Sequence, residues 1–297
     1  MLTPRITKFF VACFSLVLLT ALTYAQAPAP TFTTVDVPGA LETNVNDINT
    51  AGTVLVGYDC TDALCDSGGT AQAFARINGT FKFLKPPGST QARAYGVNDN
   101  NQVVGWFNDA SGITHGYMFS KGKFTTIDPP GSTLTNAWSI NNAGTIVGFF
   151  VDSAGSHGFS LTNGTYTTIN APGGPLISEV TGVNTTGQMV GLFVTNTNPT
   201  VQHGFTLSNG VFKQVDFPGS QLTAVDRIND SGEIVGIFGT NGSNPPFQGY
   251  RRIGTKYTAI NFPGSTETRC RGVNNAGMIT GRYTDTSGFI HGMTVTP

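Results

Sequence analysis

Charge is scarce in this chain. Asp, Glu, Lys and Arg make up 11% of its 297 residues, and 16 basic side chains against 17 acidic ones leave a formal net charge of −1. A protein that grips nucleic acid or an anionic membrane surface needs a basic face, and this composition offers none. Long apolar runs are also rare. The one such stretch, Phe9 to about Leu22, follows Arg5 and Lys8 and precedes Thr23-Tyr24-Ala25. That order of basic, apolar and small-residue segments is a secretory leader, expected to be cleaved after Ala25. The run is too short to span a bilayer comfortably. No later run has spanning length, so no membrane partner is expected once the leader is gone. No 3.6-residue apolar period follows it either, which excludes a helical protein. A Ser nucleophile elbow, an HExxH pair and a Walker loop are all missing. No cofactor is implied.

Cysteine is limited to Cys13 within the leader and Cys60, Cys65 and Cys270 after it. In an oxidising compartment the close pair Cys60/Cys65 is expected to form a small disulfide loop, leaving Cys270 as a buried free thiol. Two thiols without a nearby His are too few for zinc, so no metal site is expected.

What the chain does have is repetition. Phe/Tyr-x-x-Ile/Val-(Asp/Asn)-x-Pro-Gly places its Gly at 39, 131, 173, 219 and 264, and a variant with Lys in the Asp position places it at 88. Val/Ile-Asn places its Asn at 49, 98, 141, 184, 229 and 274, and Val/Thr-Gly its Gly at 57, 105, 148, 191, 236 and 281. A phrase that is usually His-Gly-aromatic begins at His115, His157, His203 and His291, the last ending in Met293; Gln248 replaces His once, and Gln72-Ala73-Phe74 is a degenerate first copy. Four phrases in phase six times define six copies of one unit.

Each unit reads as four short strands. In the third copy they are 137–141, 145–150, 158–161 and 166–170. Two connections carry turn chemistry. Asn-x-x-Gly fits a short loop with a left-handed residue near its end, and Asn101 takes the Gly place in the second copy, as the residue after Gly most tolerant of positive φ. Asn-Gly at 78, 163 and 209 is a two-residue hairpin signal.

Six four-stranded antiparallel units predict an all-β, six-bladed β-propeller in residues 26–297, with 1–25 as the leader. The mature chain opens on the strand at Phe32–Asp36 and closes on the one at His291–Val295. These are consecutive within a unit, so the two termini are expected to pair and close the ring. The Val/Ile-Asn strand is then innermost. Small residues precede its Val or Ile at Gly96, Ser139, Gly182 and Gly272; Asp47 and Arg227 break the pattern. The His-Gly-aromatic, Asn-x-x-Gly and Ile-Val-Gly phrases resemble the HAF-type extracellular repeat family across all six units, with Gly in the family's middle Ala position. That resemblance implies a secreted bacterial repeat protein and transfers no catalytic residue.

The histidines lie on the third strand out, roughly 15 Å from the axis by strand spacing, too far apart to share a metal. A structural role with a loop-backbone partner is expected. Asp109, Asp152 and Asp285 each open a short loop and read as Asx-type turns, since a calcium loop needs several carboxylates.

The candidate site comprises positions that enter the innermost strand and differ between copies: Asn44 and Asn46, Arg93 and Tyr95, Asn136 and Trp138, Glu179 and Thr181, Asp226, and Arg269 and Arg271. They would line the mouth. The expected function is a secreted, monomeric binding module for an extracellular ligand such as a glycan or polymer, with stacking from Tyr95 and Trp138 and anion contacts from the arginines. The alternative is an extracellular polysaccharide lyase or hydrolase with Glu179 or Asp226 as acid or base. A carboxylate pair in the mouth favours the enzyme; aromatic and arginine side chains without one favour binding.

Overall fold

The computed structural model describes residues 29–62, 65, 70–195, 201–240 and 245–297. The expected leader, residues 1–25, lies outside them. Twenty-four strands run from Thr31 to Thr296, with no helix among the described residues. Antiparallel pairing gathers them into four-stranded units. In the third unit these are Leu134–Ile140, Ile146–Asp152, Gly155–Thr162 and Thr165–Ile169, the first three longer than the sequence reading and the fourth displaced by one residue. Single parallel pairings, Glu42↔Ile290 and Gln202↔Leu222, join two pairs of units into eight-stranded sheets.

The first strands of successive units pack against one another in order, and that of the last unit packs against that of the first. Thr31–Val35 pairs with Ile290–Thr296, with Phe32 opposite Val295 and Val35 opposite Gly292. The apolar cores lie between units rather than within them. Val104 and Ile127 of the second unit meet Ala137, Ile140 and Phe159 of the third. Val35, on the terminal strand, meets Val45 and Phe74 of the first unit. A lone unit would leave both faces wet, which is the physical reason for the repetition.

Every first strand carries a bulge at one position, for example between Ala137 and Ser139. The Val/Thr-Gly phrase follows from it. A Cβ on Gly148 would stand 1.9 Å from the Asn136 carbonyl oxygen, and one on Gly57 would stand 1.9 Å from that of Asn44. Only glycine lets the second strand come that close to the bulged one. The residue before each bulge (Val45, Ala94, Ala137, Val180, Val225, Cys270) is fully buried. Cys270 therefore fills an apolar slot as a free thiol, its pKa raised by burial.

The Val/Ile-Asn phrase is also explained. Asn98 Oδ1 accepts the amides of Asn100 and Gln102 in its own turn, while Nδ2 donates to the Asn141 carbonyl at 3.0 Å. The same step runs from Asn141 to Asn184, Asn184 to Asn229, Asn229 to Asn274, and Asn274 to Asn49 at 3.4 Å. Asn101, in the Gly place of its turn, has φ 57°.

Candidate functional site

The bulge positions set the site. Asn46, Tyr95, Trp138, Thr181, Asp226 and Arg271 occupy the same place in six successive units, each three residues before the Asn of its turn. Directly beside them are the two innermost-strand residues that break the small-residue pattern. Arg227 reaches across the convergence of the strands: Nη2 donates to the Trp138 carbonyl at 2.6 Å and also to that of Tyr95, while Nη1 donates to the carbonyls of Thr181 and Asp226. Its Nε lies 3.5 Å from Asp47 Oδ2. Neighbouring units thus supply carbonyls, and the first unit a carboxylate, to one guanidinium, which plugs the axis and forms the floor of the mouth.

Above this floor the predicted residues divide. Tyr95 and Trp138 lie side by side, ring centroids 4.9 Å apart. Tyr58 and Phe149 extend the arc, at 6.3 Å from Tyr95 and 6.2 Å from Trp138. Arg93 stacks over Tyr58 at 4.3 Å and Trp106 at 5.1 Å. Its Nη2 donates to the Cys65 carbonyl at 2.6 Å, tying the Cys60–Cys65 disulfide to the mouth. Trp138 Nε1 and Asn136 Oδ1 are buried polar atoms without a protein partner among the described residues.

The opposite arc is charged. Arg271 Nη1 donates to Asp226 Oδ1 at 2.7 Å, and Asp226 Oδ2 is buried without a partner among the described residues. Burial opposes the charge on Arg271, but Asp226 and the hydroxyls of Tyr95 and Tyr58 overcome it and hold its pKa above the ordinary value. Arg269 Nε bonds Glu267 Oε1 at 2.6 Å. Burial, and then the charges of Arg282 and Arg271, bring Arg269 down to about 10. Burial, then the nearby Asp226 carboxylate, pushes Glu179 up to about 7, with Arg271 pulling the other way.

The structure does not bring every predicted residue to the surface of the mouth. Asn46 Nδ2 donates to the Ala94 carbonyl at 2.8 Å, and Thr181 Oγ1 to that of Val225 at 2.6 Å, so both brace neighbouring units. Asn44 is buried, its Oδ1 accepting from Arg282. Sequence reasoning missed Tyr58, Trp106, Phe149 and Arg282. A signal existed: each follows the constant Gly of the second strand, and that position varies between copies just as the mouth does. Register pairs Tyr58 with Asn44, Trp106 with Arg93, Phe149 with Asn136 and Arg282 with Arg269.

The histidines need a correction. Their partners are side chains, not loop backbone. His115 Nδ1 lies 2.7 Å from Asp128 and His291 Nδ1 2.8 Å from Asp36, while His203 meets Asp216 at 2.9 Å and His157 meets Asn170 at 3.1 Å. The Asp position of the Pro-Gly phrase therefore exists to hold the histidine. Asp109, Asp152 and Asp285 form Asx turns, with Oδ1 accepting from Ser111, Ala154 and Ser287 amides at 2.7–2.8 Å. The described cluster within metal-ligand reach, Glu42 with Cys60 and Cys65, has both sulfurs in the disulfide. Separate clefts lie between units at the perimeter, such as one of about 480 Å³ lined by Ile253, Ile260, Ile279 and Val295.

Solved structures with this arrangement are numerous. A putative TolB from Agrobacterium tumefaciens superposes with a TM-score of 0.56 at 8% identity over 86% of this chain and 90% of that one. AofleA from Arthrobotrys oligospora gives 0.55 at 10% identity, over 90% and 86%. A point mutant of Aleuria aurantia lectin, in complex with α-methyl-L-fucoside, gives 0.52 at 11% identity, over 89% and 97%. The fold is a β-propeller. No protein-family profile and no curated protein matches the chain, and identities this low carry the fold alone. No helix among the described residues of this propeller is long and apolar enough to cross a membrane.

Proposed function

We propose that the chain is a secreted, closed six-bladed propeller whose mouth binds an extracellular glycan or related polymer. The observation that carries this reading is the aromatic arc above the Arg227 floor. Tyr95 and Trp138 offer adjacent faces to a sugar ring, and Trp138 Nε1 there and Asp226 Oδ2 on the opposite arc are buried with no protein partner among the described residues. Buried polar atoms left unpaired cost about 1–3 kcal/mol each, a cost that a bound hydroxyl would relieve. Closure is supported by the Thr31–Val35 pairing, by packing of the last first-strand on the first, and by the Asn274–Asn49 bond. Secretion is supported by the leader sequence and by a disulfide suited to an oxidising compartment. The resemblance to HAF-type extracellular repeats agrees with both. A fucoside-bound lectin among the structural neighbours is an example of a glycan site on this fold. The test is an oligosaccharide panel read by calorimetry, with Trp138→Ala expected to abolish binding without lowering the melting temperature by more than a few degrees.

A hydrolase or lyase is the second reading, favoured by Glu179. A carboxyl pushed to about 7 beside the Asp226 side chain is fit for general-acid work near neutrality. Incubation of acidic and neutral polysaccharides with wild type and Glu179→Gln decides it. Reducing ends or unsaturated termini released only by wild type establish the enzyme.

A further inference from the structure

As a trio, Arg269, Arg271 and Arg282 have no counterpart elsewhere in the repeat. The corresponding side chains are Arg93, Tyr95 and Trp106 in the second unit, Asn136, Trp138 and Phe149 in the third, and Ala224, Asp226 and Ile237 in the fifth. Only the sixth unit places three guanidiniums together. Arg269 and Arg282 are direct register partners on adjacent strands, so they project from the same face, and Arg271 lies two residues on, across the bulge. Arg271 is neutralised by Asp226. Arg282 Nη1 is held by Asn44 Oδ1 at 2.9 Å. Arg269 is braced through Nε by Glu267 and from one face by the Phe247 ring at 4.8 Å; its Nη nitrogens hydrogen-bond to nothing among the described residues. Like charges this close repel, and the repulsion adds to burial in lowering the pKa of Arg269. The other five units form the same four strands without such a cluster.

We propose that the sixth-unit arginines form an anion subsite that seats the carboxylate of an acidic sugar, with Arg269 as its main donor, so that the ligand of the mouth is a uronate-bearing glycan rather than a neutral one. This rests on the binding reading given above. A planar guanidinium held at Nε and stacked on an aromatic ring presents its two Nη groups as a fork, the geometry that matches a carboxylate. Arg282, the register partner of Arg269, adds positive field beside the fork, and the arriving anion relieves its repulsion with Arg269. Across the mouth, Tyr95 and Trp138 would take the sugar ring.

The experiment is thermal shift and calorimetry on the mature protein with D-galacturonate, its methyl ester, D-galactose, sodium sulfate and tri-galacturonate, at 50 and 500 mM NaCl. Galacturonate and tri-galacturonate are expected to bind, the ester and galactose to bind at least tenfold more weakly, and the higher salt to weaken the acid at least tenfold. Arg269→Gln should lose at least tenfold in affinity for the acid while its ligand-free melting temperature reports whether it is folded. If it is not folded, Arg269→Lys, which keeps the charge and loses the fork, should still bind the acid several-fold more weakly. Equal binding of acid and ester overturns the inference and leaves the glycan reading standing. Binding of galacturonate without tri-galacturonate supports the subsite and contradicts the glycan reading. Sulfate bound in preference to galacturonate, unchanged affinity in folded arginine variants, or no response to any anion each overturns the subsite.

Discussion

At the innermost-strand position just after the bulge, Asp47 and Arg227 are the two residues that are not small, and they lie 3.5 Å apart. Both are buried. Burial raises the pKa of Asp47, and Arg227 works against that rise. Neither residue makes sense alone: glycine or serine fills the same place in the other four units. Removing one partner leaves a buried charge without its counter-ion, which typically costs about 3–5 kcal/mol. Arg227→Gly and Asp47→Gly are each expected to lower urea-unfolding stability by about that amount, and the double variant to recover a substantial part. An additive double variant would mean that the carbonyls, rather than Asp47, hold Arg227.

The seam between the last unit and the first should be the point at which the molecule is most easily opened. Thr31–Val35 contributes Val35 to the core of the first unit, and Phe32 packs edge-on against Phe262 at 5.6 Å. A large apolar side chain is worth about 1.5–3 kcal/mol when fully buried, and an opened seam also exposes an unpaired strand edge. Deleting residues 291–297 should give a protein that is cut rapidly by a broad-specificity protease and tends to aggregate. A deletion variant with the wild-type melting temperature would contradict the closed ring.

Stability should fall with rising pH near neutrality, in part through Glu179. Its folded pKa is raised from 4.5 to about 7, so its contribution is fully present below about 4.5 and is lost as pH rises through about 7. The effect is at most about 3 kcal/mol, since each pKa unit corresponds to about 1.4 kcal/mol. His115 acts in the same direction. Burial works against its charged form, but Asp128 and Asp109 outweigh burial and raise its pKa, so its contribution is present below 6.5 and lost above the folded value. Denaturation midpoints at pH 5 and pH 8 should differ less in Glu179→Gln than in wild type. An equal difference in both would remove Glu179 as the source.

The rim histidines and the mouth should separate by mutation. His157 lies between Asp152 and Asn170, with Phe150 against its ring. His157→Ala is expected to lower the melting temperature by a few degrees and leave ligand affinity unchanged. Affinity lost at full stability would move the site to the rim.

Much of this architecture could be read from the chain because each constant phrase answers to a local constraint. The Asn of Val/Ile-Asn caps its own turn, and the Gly of Val/Thr-Gly faces a bulge that admits no Cβ. Local constraints of this kind recur with the repeat and are visible as periodicity. The mouth was legible only in part, because its residues are defined by differing between copies. The first-strand half was found that way. The second-strand half, Tyr58, Trp106, Phe149 and Arg282, obeys the same logic one strand further out. The Asp47–Arg227 plug was visible as two exceptions. Nothing local links residues 180 positions apart, so their pairing needed the three-dimensional convergence of the strands.

The chain's only two tryptophans, Trp106 and Trp138, both belong to the mouth, the first through Arg93 and the second through Tyr95. Two indole N–H resonances in a ¹H–¹⁵N correlation spectrum therefore report on the site without any mutation. Titration with tri-galacturonate should shift the Trp138 indole signal progressively to saturation, because its Nε1 is buried with no protein partner among the described residues and gains one from the ligand. Saturable binding by calorimetry with neither indole signal moving would contradict the assignment of function to this face of the propeller.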